Sequence, residues 1–153
     1  MKIPLFKPQT EWIPPTDFPD LGKYDEIAVD LETKDPNLNE RMGSGSVVGV
    51  GDVVGISLAT HDWCAYYPIA HEGGGNMDRK VVLKWLQDQM STDSIKIFHN
   101  AMYDICWLRK IGIKVEGTIV DTMIAAALVN ENRLRYDLNG LSRDYIGKGK
   151  DES

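Results

Sequence analysis

The sequence has few cysteines, no excess of positive charge and no long apolar run, and each shortage argues against a class of protein. Its two cysteines, Cys64 and Cys106, are too few for a disulfide framework and lack metal-ligand spacing, so we expect buried packing residues in a reducing compartment. A net charge of −6 gives no basic footprint of the kind found in duplex-DNA binders. The absence of a membrane-span pattern and of a signal-peptide core predicts a cytoplasmic protein.

What the sequence does contain is enough apolar residues for one folded domain. Hydrophobic residues make up 42% of the 153 positions, which suits a single globular core. Five of the seven prolines precede residue 20 and prevent a regular helix or internal strand there. We therefore expect residues 1–23 to be an extended lead-in and residues 24–153 to be the domain. Trp12 and Phe18 either pin the lead-in to the domain or bind a partner, and pinning is favoured.

The hydrophobic periodicity predicts a regular alternation of strands and helices. The glycine-rich stretch 43–51 lacks the Gly-Lys-Ser/Thr of a phosphate-binding loop and is predicted to be a flexible loop or hairpin. Three meandering strands followed by βαβ units predict an α/β fold with a mixed sheet, antiparallel and then parallel, flanked by helices. The predicted strands are 27–33, 53–60, 63–69, 95–98 and 118–120, and the predicted helices are 78–90, 101–111, 121–129 and 137–146.

Three carboxylates are placed where apolar side chains would be easier to accommodate. Asp30 and Glu32 alternate with apolar residues in the first strand, so they point from one face, roughly 7 Å apart. Asp104 falls on the apolar stripe of the helix 101–111. Divalent cations would remove the cost of assembling such charges. Simpler alternatives are that Asp104 stabilises the helix N-terminus and that Asn100 is its N-cap, although the first does not explain the inward face.

Two motifs and several further segments resemble a known family. Asp30-Leu-Glu-Thr33 and His99-Asn-Ala-Met-Tyr-Asp104 resemble the first two motifs of the DEDD-type 3′–5′ exonucleases, particularly the proofreading domain of family A, Pol I-like, phage-type DNA polymerases. The resemblance covers about residues 24–150. It implies a ribonuclease H-like fold that hydrolyses phosphodiester bonds from single-stranded 3′ ends. The supporting segments in register are 54–59, 66–71, 120–123 and 135–141.

The resemblance also implies roles for individual residues. Asp30 would bridge two Mg²⁺ or Mn²⁺ ions, Glu32 would hold the ion that carries the attacking water, and Asp104 would serve the second ion. Oxygen ligands suit these ions and suit Zn²⁺ poorly, and two ions ~3.5–4 Å apart can generate hydroxide and stabilise the leaving 3′ oxygen. The residues implied to contact the substrate strand are Thr33, Asn100 and Arg135. The simpler alternative for Arg135 is an ordinary solvated arginine on the surface. For Tyr103 the sequence does not distinguish a stacking role from packing within the domain.

The sequence departs from the family pattern at the fourth carboxylate. The family carries it in Tyr-x-x-x-Asp or His-x-x-x-x-Asp; the first is absent here, and the second occurs only as His99–Asp104. Asp121, Asp137 and Asp144 do not align as substitutes. We therefore expect a fragment of a DNA polymerase, inactive or slow alone, with a split protein or a non-catalytic single-strand-binding or interaction module as alternatives. The expected partners are a single-stranded DNA 3′ end and a polymerase domain in the same or a separate polypeptide, in the host cytoplasm if a phage encodes it.

Overall fold

A computed structural model describes residues 12–40 and 43–149, which form one sheet and its flanking helices. Pro4 and Pro8 of the predicted lead-in lie outside the described residues. No helix in the described ranges has the length and apolar character needed to cross a bilayer. The elements in chain order are β1 (Glu26–Lys34), α1 (Gly45–Val48), β2 (Asp52–Ala59), β3 (Cys64–Pro68), α2 (Arg79–Met90), β4 (Ile95–Phe98), α3 (Ala101–Lys110), β5 (Ile119–Asp121), α4 (Thr122–Val129) and α5 (Leu138–Ile146).

The sheet is mixed, as the sequence predicts. Its strand order is β3-β2-β1-β4-β5. Strands β1, β2 and β3 pair antiparallel, with a long connection that contains α1 between β1 and β2 and a short one between β2 and β3. Strand β4 pairs parallel to β1, and β5 pairs parallel to β4. Parallel pairing requires a crossover, and α2 and α3 supply helices between the strands concerned. The predicted order of three antiparallel strands followed by parallel strands is confirmed.

The core lies on one face of the sheet. Ile27, Val29 and Leu31 of β1 point into it, and α2 and α3 cover it with residues that include Leu86 and Trp107. The intervening residues of β1 point to the other face and are exposed. This second surface, which we call the carboxylate face, is formed by Ala28, Asp30 and Glu32 of β1 with their neighbours on β2, β3 and β4.

The end of the lead-in is pinned to the core by Phe18 and Leu21. The Phe18 ring stacks on Tyr67 at 5.6 Å between centroids and meets Trp85 edge-on at 5.5 Å. Leu21 is fully buried, and its backbone N–H donates to the side-chain oxygen of Gln89 at 2.7 Å. The predicted pinning by Phe18 is confirmed.

Two local predictions are wrong. The stretch 43–51 contains the helix α1, because the Ser44 side chain caps its start and Gly49, at φ 86°, ends it in a left-handed conformation. Cys64 is exposed and Cys106 is half-buried, rather than both being core residues. Cys64 begins the edge strand β3 on the side away from the core, and apolar neighbours in sequence do not reveal which face a residue takes.

We expect Phe18→Ala to lower the free energy of unfolding by about 2 kcal/mol, less than for a fully buried ring because Phe18 is half-buried. Urea denaturation followed by circular dichroism measures the loss. Ile13→Ala is the matched control on the same segment, since Ile13 is 78% exposed and should change stability by less than about 0.5 kcal/mol. Equal losses for the two variants would contradict the pinning role.

Candidate active site

Asp30 and Glu32 lie side by side on β1, both on the carboxylate face. Both are exposed, and the register places Asp30 opposite Ser57 and Glu32 opposite Gly55 on β2. The prediction that the two side chains share a face is therefore confirmed. Because neither carboxylate is buried, the desolvation cost of the site falls mainly on a third residue.

That third residue is Asp104, which α3 holds inward in its first turn. Its side chain is only 4% exposed, so the predicted inward orientation is confirmed. Burial first, and then the negative charges of Asp30, Asp121 and Glu32, raise the pKa of Asp104 to about 7. Four carboxylates therefore lie within electrostatic range of one another, and a cation placed among them would offset both burial and repulsion.

Asp121 fixes the start of the helix that carries Asp104. Its carboxylate accepts from the backbone N–H groups of Asn100 at 3.1 Å and Ala101 at 2.8 Å, and also from Met123 at 2.9 Å at the start of α4. Burial acts to raise the pKa of Asp121, but these backbone donors outweigh it and lower the pKa. Asn100 does occupy the N-cap position of α3, as the simpler alternative has it, but its side chain makes no cap hydrogen bond, and the Asp121 carboxylate accepts from the helix start instead.

Asn100 itself has an unusual backbone. Its φ of 72° and ψ of 58° are left-handed, and it is the one non-glycine residue with positive φ in the described ranges. Such a conformation costs free energy unless the surroundings impose it. The bonds from Asn100 and Ala101 to Asp121 impose it here, and they leave the Asn100 side chain exposed beside the first turn of α3.

Thr33 and Tyr103 join the end of β1 to α3. Their hydroxyl groups lie 2.9 Å apart, and the Tyr103 hydroxyl also donates to the Asp35 carboxylate at 2.9 Å. The Tyr103 ring meets Trp107 edge-on at 6.4 Å. Tyr103 therefore packs between the two elements, which resolves the question that the sequence left open, and it ties Thr33 to the helix that carries Asp104.

Arg135 lies apart from this group. It is exposed in the segment between α4 and α5, and its carbonyl accepts from the Arg133 side chain at 3.4 Å. Within the described ranges, no hydrogen bond or ion pair joins the Arg135 side chain to the predicted site residues. The neighbouring Tyr136 is linked back to the sheet, because its carbonyl accepts from His99 Nε2 at 2.8 Å.

An apolar groove of about 560 Å³ runs along the carboxylate face beside Asp30. Its walls come from the central strands and from the starts of α4 and α5, so it brings together segments far apart in sequence. The Trp12 and Tyr66 rings meet at one side of it, 5.7 Å apart. The principal lining residues are Trp12, Ala28, Asp30, Ser57, Ala65, Tyr66, Ile97, His99, Thr122 and Leu138.

The carboxylate oxygens of the site suit a metal ion by their chemistry, although the side chains are not arranged as a complete set of ligands. No three histidine, cysteine, aspartate or glutamate side chains converge in ligating geometry in the part of the chain that the structure describes. The carboxylates near Asp104 nevertheless provide only oxygen donors, which suits Mg²⁺ or Mn²⁺. Burial first, and then the neighbouring negative charges, raise the pKa of Asp104, and a divalent cation would offset both effects.

The sequence reasoning missed Asp121 and Tyr66 as contributors to this region. Asp121 was recognised only as the start of a helix, and its second set of bonds depends on β5 pairing with β4. Tyr66 lies on the carboxylate face with its hydroxyl close to Gly55 and His71. A glycine inside a strand was the available signal, because it often marks close approach by another group.

We expect Asp104→Asn to stabilise the metal-free protein at pH 8 by about 2–4 kcal/mol. The folded-state pKa of Asp104, about 7, lies above the unfolded value of 3.8, so the parent chain loses stability as the pH rises from about 4 to 7, and the full loss is present at pH 8. The advantage of the variant should shrink as the pH falls from 7 towards 4. Urea denaturation in EDTA at several pH values measures this.

Asp88→Asn is the matched control for that measurement, since Asp88 is exposed on α2 and its replacement should change stability little at any of these pH values. An Asp104→Asn variant less stable than the parent at pH 8 would show that the charge is stabilised rather than repelled.

We expect Asp121→Ala to lower the free energy of unfolding by about 2 kcal/mol, because two helix starts lose their acceptor at about 1 kcal/mol each. Asp137→Ala removes the cap of α5 alone, through its bond from Gly140, and should lose about half as much. Urea denaturation compares the two, and equal losses would contradict the double role of Asp121.

A solved structure shares this architecture. The chain superposes on NrnC of Brucella melitensis with bound Mg²⁺ at a TM-score of 0.59 and 16% identity, covering 92% of this chain and 62% of that one. At this identity the likeness shows the fold alone. It confirms the predicted ribonuclease H-like arrangement of a mixed sheet flanked by helices.

The relatives in sequence are DNA polymerases. The chain is 32% identical to a DNA-directed DNA polymerase of Pseudomonas phage M6, covering 100% of this chain and 24% of that protein. It is 33% identical to the DNA polymerase DpoZ of Acinetobacter phage SH-Ab 15497, covering 88% of this chain and 19% of that protein. The chain thus spans about a quarter or less of the length of these relatives. Residues 18–153 match the family model described as a 3′-5′ exonuclease, so the chain belongs to the 3′–5′ exonuclease family of DNA polymerase-like proteins.

Proposed function

We propose that this exonuclease domain hydrolyses phosphodiester bonds at single-stranded DNA 3′ ends with two Mg²⁺ or Mn²⁺ ions. The observation that supports this most is the burial of Asp104. Burial and the charges of three neighbouring carboxylates raise the pKa of Asp104 to about 7. Such an arrangement is costly for a folded protein and favours cation binding. It is also the pattern that a catalytic site built from carboxylates requires.

Asp30, Glu32 and Asp104 are the residues that would hold the ions. When bound, the ions would supply a hydroxide nucleophile and neutralise the charge on the leaving 3′ oxygen. Asp104 would hold a cation in its deprotonated form, so metal affinity would rise with pH around neutrality. Asp121 contributes by holding the first turn of α3, and with it Asp104, against the sheet.

Thr33, Asn100 and Arg135 are proposed to contact the DNA strand. Thr33 borders Glu32 on β1, and the exposed Asn100 side chain borders the first turn of α3, so these two positions flank the carboxylates. Arg135 is exposed and carries positive charge, which a protein of net charge −6 needs locally to bind a polyanion. We propose that the domain proofreads beside a polymerase domain, in the same or a separate polypeptide, and in the host cytoplasm where a phage encodes it.

A 3′-labelled single-stranded oligonucleotide tests the proposal. In Mg²⁺ or Mn²⁺ we expect slow, stepwise loss of nucleotides from the 3′ end, no cleavage in EDTA, and at least about 100-fold slower cleavage by Asp30→Asn. Asp88→Asn, on the exposed side of α2, should cleave like the parent chain. The slow rate follows from the absence of a Tyr-x-x-x-Asp or second His-x-x-x-x-Asp motif in this sequence.

The following results would contradict the proposed exonuclease activity. Cleavage that survives EDTA, or that Asp30→Asn leaves unchanged, would overturn the proposed chemistry. If the parent chain binds the oligonucleotide but does not cleave it even in Mn²⁺, and Asp30→Ala leaves binding unchanged or tighter, the domain is a non-catalytic strand-binding module.

A further inference from the structure

Tyr66 occupies space that only a glycine at position 55 leaves free. A Cβ atom added to Gly55 would lie 1.8 Å from the Tyr66 hydroxyl oxygen and 2.3 Å from the ring carbon that bears it. Tyr66 pairs with Ser57, two residues further along β2, so its ring leans along that strand to reach Gly55. The hydroxyl therefore lies where the side chain of residue 55 would begin.

That position is directly opposite Glu32. Gly55 is the cross-strand partner of Glu32, and Cβ positions of such partners lie about 4.5–5.5 Å apart. Burial, and then the Glu32 charge, raise the pKa of Tyr66, so its phenol keeps its proton at neutral pH. A protonated hydroxyl thus lies at the position opposite Glu32, near enough for the Glu32 charge to act on it, and Glu32 is the carboxylate proposed to hold the ion that carries the attacking water.

His71 holds this hydroxyl from its other side. The His71 Nε2 atom lies 2.5 Å from the Tyr66 oxygen. His71 is fixed in turn by Asn76, which accepts from the His71 backbone N–H at 2.7 Å and donates to its carbonyl at 2.8 Å. Adjacent to His71 in this loop, Glu72 pairs with Lys34 at the end of β1. The hydroxyl is therefore constrained by β2, by the loop and by its own strand.

We propose that Tyr66 is a positioning residue of the carboxylate site, in which His71 Nε2–H donates to the Tyr66 oxygen and the Tyr66 hydroxyl donates to Glu32. A phenol has one proton, so this direction requires His71 to carry its own proton on Nε2. The bond restrains Glu32 in one orientation and so prepares it to bind a cation. The inference rests on the proposed exonuclease function, because it assigns Glu32 a metal ligand's role.

A Mn²⁺ titration of the chain by calorimetry tests the coupling to Glu32. We expect Tyr66→Phe to weaken Mn²⁺ binding about 3- to 10-fold, and to cause no further weakening in a Glu32→Gln background. Tyr67→Phe is the matched control: it is the adjacent tyrosine on the opposite face, and its hydroxyl donates to the Asp17 carbonyl at 3.1 Å. Tyr67→Phe should leave Mn²⁺ affinity unchanged.

A metal-free measurement gives an independent answer. Long-range ¹⁵N NMR at pH 8.5, where an ordinary imidazole is neutral, reports which ring nitrogen of His71 carries the proton. A proton on Nε2 is expected. A proton on Nδ1 would leave Nε2 as an acceptor, so the Tyr66 hydroxyl would donate to His71 rather than to Glu32, and the proposal would be wrong.

The outcomes separate this proposal from the proposed function. If the parent chain binds Mn²⁺ and Tyr66→Phe behaves like Tyr67→Phe, the role of Tyr66 fails and the metal site stands. The role of Tyr66 also fails if its effect persists in Glu32→Gln. If the parent chain binds no Mn²⁺ at millimolar concentration, the metal role of the carboxylates fails for this chain, and the role of Tyr66 fails with it.

Discussion

The alternation of side chains along β1 is the constraint on which the rest of the structure depends. The strand is central in the sheet, so one set of its residues, Ile27, Val29 and Leu31, must enter the core. Asp30 and Glu32 are then obliged to point to the opposite face, because successive side chains of a strand alternate. A shift of one residue in register would exchange the two sets and would destroy both the core and the carboxylate face.

Electrostatic repulsion on that face is managed by the backbone as well as by side chains. The oxygens of Asp121 accept hydrogen bonds from the starts of two helices, so this carboxylate is well satisfied. Asp104, by contrast, is buried among like charges and has a pKa near neutrality. Asp121 holds the helix starts in place, and Asp104 is the carboxylate whose charge the proposed cations would neutralise. This division of roles suits a site in which rigid elements present carboxylates to metal ions.

Much of the fold was predictable because it follows from local patterns. Periodicity and capping residues, which act over a few positions, predicted the helix 78–90, the strand 95–98 and the helices that begin near residues 121 and 137. The short helix α1 was missed because glycine weakens any helical pattern, and Cys64 was misplaced because neighbouring residues do not report burial. Asn100 is at the N-cap position as expected, but the acceptor for the helix start comes from Asp121 on a strand distant in sequence, which local patterns do not report.

The sequence by itself determined that Asp30 and Glu32 share one face, that Asp104 points inward and that the chain resembles an exonuclease family. These features follow from the strand period, the helix period and the order of the motifs, all of which can be read from consecutive residues. Only the tertiary structure decided that Asp121 caps the helix carrying Asp104, and that Tyr66 lies over Gly55 opposite Glu32. These contacts join β1, β2, β3 and β5, and they depend on the order and register in which strands pair. Register is set by the packing of the whole sheet, which no single segment encodes.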